Sequence, residues 1–242
     1  MRVVVINGVE YRGCNYHMKE IFLKSLREKV GGIELTEYNL PSACPVFCTG
    51  CKACFYKDIS VCPHREYTIP IWERMINADL LVFTSPVYVY HATAQIKALL
   101  DHYGSKWMAH SPDEKMFSKR AVIITNAAGM GMKNVIKNIG DSLNYWGVAQ
   151  TFVIKKALFM GEWKDVSQKT KDKITRSCDK LAAKLVIKKP TKPRLGIKMR
   201  FYILRMGQKM IHKKLSKEGY PETTDHKYWK EKGWLDGKKP WN

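Results

Sequence analysis

The stretch DLLVFTSPVYVYHATAQIKALLDHY, residues 79–103, decides the fold. Its apolar run from Leu80 to Phe83 has the length and composition of a strand buried on both faces. Thr84, Ser85 and Pro86 lead into an aromatic turn, Tyr88 to His91, after which Ala94, Ile96, Ala98, Leu99 and Tyr103 recur at roughly helical spacing. A helix placed there packs back onto the sheet. The turn therefore sits at the carboxyl end of a strand, where open α/β sheets bind their ligands.

The same grammar repeats on both sides. Val3 to Ile6 reads as a short buried strand, and Tyr16 to Val30 as an amphipathic helix through Met18, Ile21, Phe22 and Leu26. Ile33 to Tyr38 predicts a second strand, the cysteine segment Cys44 to Cys62 follows, and a helix is expected near Ile69 to Asn77. Ala121 to Thr125 predicts another buried strand, Lys133 to Trp146 a helix, Thr151 to Phe159 a fifth strand and Val166 to Val186 a long helix. Alternating strands and helices call for a parallel sheet covered on both faces, an α/β fold. Pro190 and Pro193 mark its end, which divides the chain into a domain of residues 1–187 and a basic helical extension of residues 188–242. Leu195 to Leu215 is helical in pattern, with Ile197, Phe201, Leu204, Ile211 and Leu215 interleaved with Lys198, Arg200, Arg205, Lys209 and Lys213; a basic amphipathic helix of this kind can lie on a membrane surface, but its stripe is expected to pack on its own domain or on a second subunit. The last segment, from Tyr220 to Asn242 with Trp229, Trp234 and Trp241, is expected to drape over a surface or a dimer partner.

At 242 residues and 45% hydrophobic content the chain is long enough for a substantial core. No apolar run reaches the roughly 18 residues of a membrane span, and MRVVVING reads as a strand rather than a signal peptide, so a cytoplasmic protein without a transmembrane segment is expected. Seven cysteines in that setting argue for reduced thiols or metal ligation rather than disulfides. The formal charge is +20, and +11 of it falls in residues 188–242. Such a bias fits anionic lipid, a phosphorylated cofactor or a plain solvated face; no nucleic-acid partner is expected.

Three strand-end loops carry the chemistry. Asn7 to Tyr16 is a polar, Gly-containing loop into a helix N-terminus, which suits a phosphate; Arg12 adds a charge and Asn15 reads as the helix cap. Ser85 to Tyr90 is the aromatic turn, with His91 as a proton donor or a cap of the next helix. Asn126 to Gly131 is a third loop of small residues. Cys48, Cys51 and Cys54 at spacings of three, closed by Cys62, bring four thiols onto one loop that admits a [4Fe–4S] cluster, a zinc ion or unligated thiols.

With SPVYVYHATAQIKALLDH as its strongest portion, the chain resembles the flavodoxin-like NAD(P)H-dependent FMN reductases, including their iron-sulfur flavoprotein branch, over roughly residues 1–185. The resemblance implies a five-stranded doubly wound sheet of order 2-1-3-4-5 with FMN across the carboxyl ends of its strands. It implies that the loop from Asn7 through Arg12, Gly13, Cys14, Asn15 and Tyr16 holds the FMN phosphate. Ser85, Pro86, Val87, Tyr88, Val89 and Tyr90 would flank the isoalloxazine ring, and Asn126, Ala127, Ala128 and Gly129 its far edge. The chain departs from the family pattern at Val9, Glu10 and Tyr16, where serine, proline and threonine are usual. The expected activity is an FMN-dependent oxidoreductase carrying electrons from NAD(P)H or a reduced ferredoxin to a quinone, nitro or azo compound, in a homodimer or higher oligomer. The alternatives are an electron carrier that docks a redox protein and a binding protein that has lost FMN.

Overall fold

The computed structural model describes residues 1–159, 161–186 and 192–241, so the expected boundary at 187/188 and Pro190 lie outside the described residues. Five parallel strands, β1 (Arg2–Asn7), β2 (Glu34–Asn39), β3 (Leu80–Thr84), β4 (Arg120–Ala127) and β5 (Gln150–Ala157), form one sheet in the order β2-β1-β3-β4-β5, the order that the family resemblance implies. Every residue of β3 is buried, which explains its unbroken apolar run, while β2 and β5 lie at the edges and are mostly half-buried.

Side chains alternate between two cores. Val4, Ile6, Leu81, Phe83 and Ile123 face α3 (Arg65–Asn77), α4 (Ala94–His102) and α5 (Met132–Tyr145), meeting Trp72, Met75, Ile96, Leu99 and Ile139 there. Val3, Val5, Val82, Val122 and Ile124 face α1 (Cys14–Val30) and α6 (Gln168–Val186), against Met18, Phe22, Ile174 and Cys178. Cys178 is fully buried, and burial pushes its thiol up to about 12, so it serves as core filler. A four-residue helix, α2 (Ala53–Tyr56), lies inside the cysteine segment. The helix expected from Ile69 begins earlier, at Arg65, because Pro70 is accommodated inside it rather than starting it.

The extension forms α7 (Leu195–Lys217) and α8 (Thr224–Glu231). Ile197 and Phe201 of α7, with Trp229, Trp234 and Leu235, make a third core on Met108 and Phe117. Trp229 stacks on Phe201 at 4.9 Å and donates its Nε1–H to His110 O at 2.9 Å. The tryptophans thus pack on the chain's own α/β unit.

Candidate functional site

The carboxyl ends of β1, β3 and β4 bring the three loops to one edge of the sheet. The first is pinned tightly: Gly8 N–H donates to Thr84 O at 2.8 Å, and Thr93 Oγ1 donates to Gly8 O at 2.8 Å. Asn7 and Ser85 lie beneath the cleft with their polar groups used by the fold. Asn7 Nδ2 donates to Glu37 Oε2 and Asn39 Oδ1 at 2.9 and 2.8 Å, and Ser85 Oγ donates to Pro86 O while accepting from Thr93 N.

Gly13, not Asn15, is the cap residue of α1, and it offers no side-chain bond; Asn15 is the second helical residue. The first donor inside the helix is His17 N–H, to Gly13 O at 3.2 Å. The amides of Cys14, Asn15 and Tyr16 therefore lie outside the ladder and give this end its positive character. Glu10, the acid of the first loop, is held by a hydrogen bond: its carboxylate accepts from Ser42 N at 3.0 Å, and that bonding lowers its pKa. Arg12 and Lys19 stand over the Tyr16 ring at 5.5 and 4.6 Å, and buried Lys19 is paired with Glu20 and Glu37. Burial raises the Cys14 thiol, against the lowering a helix N-terminus would produce.

The aromatic turn is a two-residue hairpin. Tyr88 and His91 exchange both backbone bonds, at 3.0 and 2.9 Å, around Val89 and Tyr90, whose φ values are 47° and 66°. Such a turn ordinarily uses Asn-Gly, and a β-branched Val in the left-handed region costs roughly 1–2 kcal/mol. The result is an exposed apolar rim of Tyr88, Val89 and Tyr90. His91 does not cap α4, whose cap residue is Thr93; its Nδ1 lies 3.3 Å from Asn138 Oδ1. In the third loop Asn126 O accepts from Val87 N at 3.0 Å, and Gly131, at φ 93°, packs against Val87 and Tyr90.

These loops enclose a cavity of ≈ 250 Å³ lined by Val9, Tyr11, Gly13, Cys14 and Asn15 from the first, Pro86 to Tyr88 from the second and Asn126 to Ala128 from the third. Leu158, Phe159 and Gly161 close it from the end of β5, and Tyr11 OH ties that segment down by donating to Glu162 Oε1 at 2.9 Å. Sequence reasoning misses this fourth wall by extending the strand to Phe159; Gly161 is its one signal. A polar cavity of ≈ 290 Å³ adjoins, sharing Val9, Tyr11 and Asn15 and lined also by Arg12, Tyr16 and Thr84 and by Glu10, Glu20 and Glu37, the last two paired with Lys19. Two buried oxygens at the first cavity, Asn15 Oδ1 and Asn126 Oδ1, have no hydrogen-bond partner in the described structure. A buried polar atom without a partner costs free energy, so both are fitted to a ligand with hydroxyl or N–H groups.

The cysteines form a separate cluster past β2. Cys48 and Cys51 are exposed, Cys54 half-buried and Cys62 buried. Burial raises Cys54, whose thiol also feels Cys62 and Cys48, and burial raises Cys44, which feels Cys62. A single zinc ion, at about 2.3 Å from each sulfur, would need the thiolates within roughly 4 Å of one another. Among the described residues no three thiols lie within 4.8 Å of one another. Below them His102 Nδ1 lies 2.8 Å from Ala98 O and must donate to it, leaving Nε2 to accept from His64 Nδ1 at 2.9 Å. A larger cavity of ≈ 570 Å³ lies between Phe55 and Tyr56 of this segment and Tyr220 to Asp225 of the extension.

A family model described as NADPH-dependent FMN reductase matches residues 1–165. An iron-sulfur flavoprotein of Archaeoglobus fulgidus is 25% identical over 223 residues, covering 90% of this chain and 92% of the relative. Among solved structures, an FMN-dependent NADH-azoreductase from Bacillus anthracis in complex with FMN aligns with a TM-score of 0.57 at 13% identity, over 77% of this chain and 100% of that one. A flavone reductase aligns with a TM-score of 0.51 at 15% identity over 77% of this chain, which spans only 62% of that protein's length.

Proposed function

Since the chain belongs to the NADPH-dependent FMN reductase family, we propose that it takes electrons from NAD(P)H, or from a reduced ferredoxin-type protein, and passes them to a small acceptor such as a quinone, nitro or azo compound. The observation that carries this reading is the cleft itself, two adjoining cavities lined by the N-terminus of α1 with its unbonded amides, by Asn15 and Asn126 with their partnerless oxygens, and by Tyr88 of the apolar rim. The amides of Cys14, Asn15 and Tyr16, with Arg12, would take the FMN phosphate. Asn15 and Asn126 would meet polar groups of the flavin, while Pro86 to Tyr90 and Ala127 to Gly129 would border its ring. Asn7 and Ser85 would act as braces. When bound, FMN supplies hydride and single-electron chemistry at its own ring, so the chain needs no nucleophile or general base. The protein's part is to orient the ring, exclude water with Tyr88, Val89 and Tyr90, and leave one face open to donor and acceptor.

Cys48, Cys51, Cys54 and Cys62 would hold a [4Fe–4S] cluster, which supplies single-electron exchange. The test is the visible spectrum and iron content of the purified protein, followed by NADH and NADPH oxidation with a quinone. Expected are a flavin spectrum, about four irons per chain, and many nucleotides oxidised per flavin. A flavin that only a protein donor reduces would favour the carrier. A colourless chain that FMN cannot reconstitute would overturn both readings.

A further inference from the structure

The helix α7 has two apolar faces. The inner one, Ile197 and Phe201, is buried in the third core. On the opposite side Leu195, Met199, Ile203, Met206 and Met210 recur at steps of three and four residues, which places them in one row along the helix. These five are 73%, 53%, 63%, 63% and 68% exposed. At 1.5 Å per residue the row runs about 22 Å. Scattered surface hydrophobics need no explanation, but a row of this length marks a contact surface.

The charges around the row indicate what it contacts. Residues 195–217 contain seven Lys and Arg and no Asp or Glu. At 100° per residue, Lys198 and Lys209 flank one edge of the row and Lys214 the other, with Lys213 and Lys217 at its carboxyl end. None of these five takes part in an ion pair among the described residues. A second copy of this chain would set the same cations against them, a like-charge juxtaposition that disfavours association. A sheet of anionic headgroups over an apolar interior meets both requirements. Leu, Ile and the flexible Met side chains enter the acyl boundary while the lysines reach back to phosphates. No described helix is long and apolar enough to cross a membrane, so the association is with its surface.

We propose that the outer face of α7 docks the protein onto an anionic lipid bilayer, with the helix lying in the interface plane. The inference stands apart from the flavin reading, because this face shares no residue with the cleft. The test is co-sedimentation of the full chain, in its purified holo form, with vesicles of phosphatidylcholine alone and of phosphatidylcholine and phosphatidylglycerol in equal parts. Wild type is expected to pellet with the anionic vesicles, and to bind neutral ones at least about tenfold more weakly. The double variant Met206→Glu, Met210→Glu, which alters only exposed side chains, is expected to lose at least about tenfold in binding to anionic vesicles while keeping its circular dichroism and bound chromophore. Equal binding of variant and wild type, or no binding of wild type to anionic vesicles, would overturn the proposal. So would light scattering that shows a dimer which the double variant turns into a monomer, since a second copy would then cover the face.

Discussion

Gly8→Ala is expected to cost about 3 kcal/mol of stability and to empty the cleft of flavin. A Cβ at this position would lie 2.8 Å from Thr84 O, 2.8 Å from Thr93 Oγ1 and 2.7 Å from Ile96 Cγ1. Thr84 O belongs to the central strand β3 and already accepts from Gly8 N, so it has no room to retreat. Relief has to come from the first loop, which would lift off the second and open the bond between Thr93 Oγ1 and Gly8 O. Urea unfolding and the FMN retained on gel filtration measure both effects. An unchanged midpoint with full flavin content would mean that the close approach of these loops is not what shapes the cleft.

Trp229→Ala is the second large effect, with an expected loss of about 3–5 kcal/mol. Its ring is fully buried, stacks on Phe201 and meets Trp234 at 5.3 Å, and its indole N–H reaches across to His110 O in the α/β unit. Truncation removes the centre of the third core and leaves that carbonyl without its donor. The extension, bound to the rest largely through this core, should detach first. Limited trypsin digestion is expected to cut early within residues 195–241, where lysines and arginines are dense, while the α/β unit resists. A digestion pattern equal to that of wild type would contradict this account of how the extension is held.

The sheet is legible in the sequence because its three inner strands are continuous apolar runs, and only burial on both faces asks for that. Val3 to Ile6, Leu80 to Phe83 and Ala121 to Thr125 therefore announce themselves, and their strand-end loops follow. The conformation of the aromatic turn is not legible. Val89 and Tyr90 are poor residues for two consecutive left-handed positions, which go with the pair of backbone bonds between Tyr88 and His91 and the close approach of Gly131 to Val87 and Tyr90. The orientation of Glu10 is equally hidden, since it depends on Ser42, which lies 32 residues away in the chain. The fourth wall of the cleft is obscured because the apolar residues of β5 run on through Leu158 and Phe159. Of the stripe read in α7, Ile197, Phe201 and Leu204 pack on the chain's own domain, whereas Ile211 is exposed and Leu215 lies outside the third core, because the helix runs on past the residues that α8 and the tryptophans cover. The outer row escapes notice because methionines at helical spacing look the same whether they are buried or exposed.

On the proposed function, the first loop and the N-terminus of α1 hold the phosphate of FMN at the end of the cleft. Titration of flavin-free protein with FMN and with riboflavin, followed by quenching of flavin fluorescence, tests it most directly. Charge-assisted bonds from three helix amides and Arg12 should favour FMN by at least about 2.7 kcal/mol, roughly a hundredfold in Kd. FMN bound at least that much more tightly than riboflavin is the result this account predicts; equal affinity for the two, or binding of neither, would contradict it.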